Sequence, residues 1–237
     1  MKSLLPAIIT LLFFSAPLFA QQQAHVQTMR QDQPMNYLLY LPQDYSDAGE
    51  QDFPLLLFLH GGGEGGDDIE KVKTHGPPML VEQGQEFPFI ILSPQNPYPR
   101  KFWDTKMLNQ LLEEVMQEYR VDTSRIYLTG LSRGGYGAWT MAMEYPDIFA
   151  ALVTVCGAVP SSYAGWVPKI PIRVFHGADD PVINLEESVD MVNALKRLDH
   201  DVKLTVYENT GHDSWVQAYN DPELYRWLMK QQRSDKP

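Results

Sequence analysis

The chain has 237 residues, a formal net charge of −11 at pH 7 and a single cysteine. That length suits one domain with a sizeable core, and so acidic a balance argues against nucleic acid or an anionic membrane as partner and for soluble, neutral or mildly charged substrates. One cysteine permits no internal disulfide, so packing alone must hold the fold.

Residues 1–20 are read apart from the fold. Lys2 supplies a positive start, residues 4–14 are almost unbroken apolar, and Ala16 and Ala20 precede the polar Gln21-Gln22-Gln23. This is the pattern of a secretory signal peptide, too short to span a bilayer comfortably; an uncleaved membrane anchor is the competing reading. The expected mature chain is one domain over residues 21–237, secreted or periplasmic, without stable membrane insertion once the signal is cut.

From Met35 onward, short β-rich runs alternate with helical patterns. Strands are predicted at residues 35–41, 55–60, 89–93, 126–130, 151–156, 172–176 and 202–207. Several are apolar on both faces, as in strands covered by helices on each side. Cys156, ending one such run, reads as a small buried hydrophobe. Leu108, Leu111, Leu112, Val115, Met116 and Tyr119 form an apolar stripe at helical spacing. Leu185, Val189, Val192, Leu195 and Leu198 form a second, with Asn184 and Glu187 placed to cap its start. A third helix is expected over residues 222–231. The alternation predicts an α/β fold, a mostly parallel sheet with helices on both faces.

The run Ile126-Tyr127-Leu128 leads into Gly130-Leu131-Ser132-Arg133-Gly134. This spacing reads as a nucleophile elbow, a sharp strand-to-helix turn that exposes one serine hydroxyl and needs glycine two residues to either side. A glycine-rich surface turn is the plainer alternative. In an open parallel sheet, chemistry gathers at the carboxyl ends of the strands. Three other predicted strands end in His60-Gly61-Gly62-Gly63, in His176-Gly177-Ala178-Asp179-Asp180-Pro181-Val182, and in a loop carrying Gly211-His212-Asp213. The chain order Ser, Asp, His is that of one class of serine hydrolases. No Gly-Lys-Ser or Gly-Lys-Thr follows the glycine loop, and no His, Cys and carboxylate cluster shows metal-ligand spacing, so no cofactor and no metal is expected.

These motifs resemble the α/β-hydrolase superfamily, in particular the small secreted esterases of the phospholipase/carboxylesterase and polyhydroxybutyrate-depolymerase-like group, some of which are labelled predicted peptidases. The resemblance covers residues 36–231 and rests on Leu59 to Gly63, Gly130 to Trp139, His176 to Val182 and Gly211-His212. It implies an α/β-hydrolase fold without a large cap domain, with Ser132 as nucleophile and His212 as its base. It also implies Asp180, four residues after His176, as the carboxylate that orients His212; Asp179 is the alternative. The oxyanion donors would be the backbone N–H of Arg133 and, by resemblance, that of Gly62, with Gly61 or Gly63 also open. Relatives often carry methionine where this chain has Arg133, which changes the surroundings of the substrate. His60 and His176, beside glycines at strand ends, are read as structural.

The segment between residues 157 and 171 is too short for a helical lid, so an open cleft is expected. Trp103, Tyr136, Trp166 and Trp215 are expected to border it and to stack on sugar or phenolic rings, core packing being the alternative for each. The function implied is a secreted serine carboxylesterase for short-acyl or aromatic esters, on small molecules or on polysaccharides. A serine peptidase on the same fold and a non-catalytic binding protein are the alternatives.

Overall fold

The computed structural model describes residues 22–28 and 34–233. The signal-peptide reading of residues 1–20 lies outside the described residues. In chain order the elements are β1 (Gln22–Thr28), β2 (Pro34–Tyr40), β3 (Phe53–Leu59), α1 (Gly76–Glu82), β4 (Ile90–Pro94), α2 (Thr105–Glu118), β5 (Val121–Leu131) and α3 (Arg133–Glu144). Then come β6 (Ala151–Val155), β7 (Ile172–Gly177), α4 (Leu185–Arg197), β8 (Val202–Tyr207), α5 (Trp215–Asn220) and α6 (Pro222–Leu228), with short 3-10 turns at Ile69–Thr74 and Ser161–Trp166.

The strands form one sheet in the order β1-β2-β4-β3-β5-β6-β7-β8. From β4 to β8 every pairing is parallel, while β1 and β2 join antiparallel at one edge. Strand periodicity divides the core. Leu55, Leu57 and Leu59 of β3 face the cluster that holds Leu108 and Leu112 of α2, Trp139 of α3 and Leu195 of α4. Leu56 and Phe58 face the other, with Leu80 of α1, Tyr219 of α5 and Leu228 of α6. All seven residues of β3 are buried, which is why this strand reads as an unbroken apolar run rather than an alternation.

The helices start where side chains can take up their free N–H groups. Asp104 accepts from the N–H groups of Lys106 and Met107 at the start of α2. Asn184 caps α4 by accepting from the N–H of Glu186. Three elements escaped sequence reading: β1, α1 and the short α5, which follows the His212 loop. β1 begins in the glutamine tract and carries no apolar alternation strong enough to mark it. α1 opens with Pro77-Pro78, which resembles a loop but occupies the first helical turn, where a missing N–H costs nothing.

Between β6 and β7 the chain carries only the 3-10 turn Ser161–Trp166, so no helical lid arises there. No helix of the described residues is long and apolar enough to cross a membrane.

Candidate active site

The carboxyl ends of β3, β5, β7 and β8 converge on Ser132. The residue sits between β5 and α3 at φ 51° and ψ −118°, a left-handed backbone that a non-glycine residue adopts only when its surroundings compel it. Its N–H donates to the carbonyl of Val155 at 2.8 Å, tying the turn to the end of β6. The flanking glycines have different causes. A Cβ on Gly130 would lie 2.2 Å from the carbonyl oxygen of Gly134, across the turn. A Cβ on Gly134 would instead strike the carbonyl of Leu59 on β3, at 1.9 Å.

Ser132 Oγ lies 2.8 Å from His212 Nε2, and His212 Nδ1 lies 2.7 Å from Asp180 Oδ2. A carboxylate accepts, so Nδ1 carries the proton and Nε2 presents its lone pair to the serine hydroxyl. Asp180, not Asp179, meets His212. Asp179 is exposed, and its N–H donates to the Thr210 carbonyl at 2.9 Å. That bond, with the one from Ala178 N–H to the Tyr207 carbonyl at 2.9 Å, stitches the β7 loop to the β8 loop and sets Asp180 beside His212.

The Asp180 side chain is inaccessible to solvent. Burial alone would raise its pKa. The hydrogen bond from His212 and those from the N–H groups of Ile183 and Val182 outweigh this and hold it below the usual carboxylate value. His176 stands on its other side, with Nε2 3.2 Å from Asp180 Oδ2. The same Nε2 donates to the Ile183 carbonyl at 3.0 Å, and Nδ1 accepts from the Ser188 hydroxyl at 2.8 Å. This buried histidine therefore braces the acid loop.

The glycine loop after β3 lies against the elbow. A Cβ on Gly61 would come 3.7 Å from Ser132 Cβ, and one on Gly62 would meet the Arg133 guanidinium at 3.1 Å. Arg133 is the first residue of α3, so its N–H has no intrahelical acceptor and lies at the positive end of the helix dipole. His60 holds the loop in place. Its Nε2 accepts from the N–H of Asn96 at 3.0 Å, leaving Nδ1 to donate to the Gly61 carbonyl at 2.7 Å.

The four aromatics expected along the cleft have different fates. Trp103 is a correction: it is buried, 7% exposed, beneath the glycine loop rather than along an open cleft. Its indole N–H donates to the His60 carbonyl at 3.3 Å, and its ring fills the space that a Cβ on Gly137 would need. Trp215 stands edge-on to His212, ring centres 5.3 Å apart, and its other neighbour is His75 at 5.2 Å. Tyr136 packs at 4.5 Å on Phe102, an exposed ring that sequence reading passed over. Trp166 is 67% exposed and stacked on Tyr163; no hydrogen bond or ring contact ties it to Ser132 or His212 among the described residues.

Cys156 is buried next to this site. Its thiol, Asp180 and His212 offer ligand atoms within 4.8 Å of one another, a grouping that sequence spacing did not reveal. Asp180 and His212 already share a hydrogen bond, and burial pushes the Cys156 thiol up to about 12, so at neutral pH it is a protonated, poor ligand.

Comparison with known proteins places these features in context. A family model described as Phospholipase/Carboxylesterase matches residues 101–223, just over half of the chain. A bifunctional acetylxylan esterase/xylanase of Neocallimastix patriciarum is 27% identical over 142 residues, 56% of this chain and 20% of that protein. A probable feruloyl esterase C of Aspergillus terreus is 26% identical over 163 residues, 66% of this chain and 59% of that one. A crystal structure of a thermostable esterase superposes with TM-score 0.78 at 31% identity, over 90% of this chain and 63% of that chain. The chain spans less than two thirds of the length of each of these three.

Proposed function

We propose, from the premise that this chain belongs to the phospholipase/carboxylesterase family and has the α/β-hydrolase fold, that it is a serine carboxylesterase for short-acyl or aromatic esters, including those carried on polysaccharide. The observation that carries the reading is the hydrogen-bonded line Ser132–His212–Asp180 at the carboxyl end of the sheet. The acetylxylan and feruloyl esterases among the relatives support the substrate class. The reading further takes residues 21–237 as one domain, and residues 1–20 as a signal for export to the periplasm or medium.

In this mechanism His212 Nε2 takes the proton of Ser132 Oγ as the oxygen attacks the ester carbonyl. The carbonyl π pair moves to oxygen, and the N–H groups of Arg133 and Gly62 receive the resulting oxyanion. Asp180 stabilises the imidazolium. Collapse of the tetrahedral adduct breaks the bond to the alcohol, which leaves with the proton from His212. Water, deprotonated by the same Nε2, then attacks the acyl-enzyme, and the acid departs as Ser132 regains its proton. Trp215 walls His212, and the absence of a helical lid between β6 and β7 leaves room for a polymer-borne ester.

Measuring kcat/KM on 4-nitrophenyl acetate, acetylated xylan, methyl ferulate and peptide amides tests this function. The reading expects turnover of the esters and little of the peptides. Efficient peptide cleavage with inert esters would make the chain a peptidase instead.

A further inference from the structure

The side chain of Arg133 is not occupied by the chemistry assigned to its backbone. It folds over the glycine loop, with Nη1 donating to the Pro99 carbonyl at 2.5 Å and the guanidinium 5.9 Å from the Phe102 ring. Nε and Nη2 make no hydrogen bond among the described residues. Arg100 and Lys101 lie exposed on the same loop, Lys101 above the Tyr98 ring at 4.3 Å. No ion pair among the described residues engages any of these three cations.

The loop is not a loose strand of chain. The Asn96 side-chain amide donates to the carbonyls of Lys101 and Phe102 at 3.2 and 3.4 Å, and Asn96 is itself held by His60. The same histidine thus fixes the glycine loop and this basic rim. Phe102 is 59% exposed and leans on Tyr136. In a chain of net charge −11, three cations outside any ion pair and the exposed Phe102 ring lie on this loop and on the residue next to the candidate nucleophile.

We propose that Arg133, with Arg100, Lys101 and Phe102, forms a subsite for a carboxylate on the substrate. The free Nε and Nη2 edge of a guanidinium matches the two oxygens of a carboxylate, and the rings offer an apolar floor to the group that bears it. The carboxylate has two available sources: an acidic sugar on the alcohol side of the ester, or the far end of a dicarboxylic acyl group. The inference rests on Ser132 acting as an ester nucleophile.

Matched substrate pairs test it. Acetylated glucuronate against acetylated glucose probes the alcohol side, and mono-4-nitrophenyl adipate against 4-nitrophenyl hexanoate the acyl side. The expected result is a kcat/KM preference of about tenfold or more for the charged member of one pair, as for a charge-assisted hydrogen bond. That preference should shrink when salt rises from about 20 mM to about 500 mM, because the rim is partly exposed. Arg133→Lys should keep part of the preference and Arg133→Glu should reverse it, the readout being the ratio within a pair. Ratios near one in both pairs, unmoved by salt, in an enzyme that turns over the neutral esters would overturn the subsite while leaving the esterase reading intact. No turnover of any ester would overturn the esterase reading, and the subsite with it.

Discussion

Gly134 is pressed so closely against Leu59 that a single added methyl would sit 1.9 Å from the Leu59 carbonyl oxygen. The serine turn is thus built against β3 as well as within itself, and the same close approach brings the glycine loop after β3 next to Ser132. Gly134→Ala should therefore lower the unfolding free energy by about 3 kcal/mol or more, or stop folding, as other strained core overpackings do. Gly165→Ala, where nothing lies within 4 Å of the new Cβ, should leave stability unchanged. Urea unfolding of the two variants checks this, and equal stability would contradict it.

Asp180→Asn should depress kcat far more than Asp179→Asn. An amide at 180 can favour the wrong His212 tautomer, and a loss on the order of 10⁴-fold is known for such a swap in another serine hydrolase. Asp179 faces solvent and should cost little. A dead Asp179 variant beside an active Asp180 variant would contradict the geometry.

The same carboxylate makes a pH-dependent contribution to stability. Its folded pKa is depressed, so the contribution is complete above the unfolded-state value of about 3.9 and is lost as pH falls through the lower folded value. The stability gap between the parent chain and Asp180→Asn should hold from about pH 7 to pH 5 and narrow below about pH 4. Denaturant titrations across that range test it; a gap that persists undiminished below pH 3 would exclude the ionised Asp180 as its cause.

Cys156 should ignore iodoacetamide at pH 8 in the folded protein and react in urea. Burial holds its thiol protonated, with a pKa of about 12, and the nearby carboxylates Asp180 and Asp213 reinforce this. Rapid native alkylation, read by mass spectrometry, would contradict the burial. Treatment with a chelator should leave ester hydrolysis unchanged; loss restored by added zinc would replace the serine mechanism with a metal one.

Much of this was legible in sequence because buried parallel strands announce themselves as apolar runs. Residues 151–155 and 202–207 form strands almost as read, and the stripes at Leu108 and Leu185 form α2 and α4. Ser132 and His212 stood in local motifs at strand ends, whereas Asp180 rested on the family resemblance and the motif left Asp179 open beside it. What stayed hidden depends on contacts between distant segments. Trp103 looked like a cleft aromatic, yet its fate was decided by the space above Gly137 and by a carbonyl 43 residues away. The rim of Arg100, Lys101 and Phe102 carries no motif and was not read from sequence. Its closeness to Arg133 appears only once the Pro99 carbonyl is seen to hold the guanidinium.

The measurement that bears most directly on the central claim is intact-mass spectrometry of the parent chain and Ser132→Ala after exposure to a fluorophosphonate. The parent should gain one phosphonyl group, mapped to the peptide containing Ser132, and lose esterase activity in step. Ser132→Ala, folded by circular dichroism, should gain none and retain less than about a hundredth of the activity. Labelling at another residue, or an unlabelled parent that still hydrolyses esters, would contradict the assignment of Ser132 as the nucleophile.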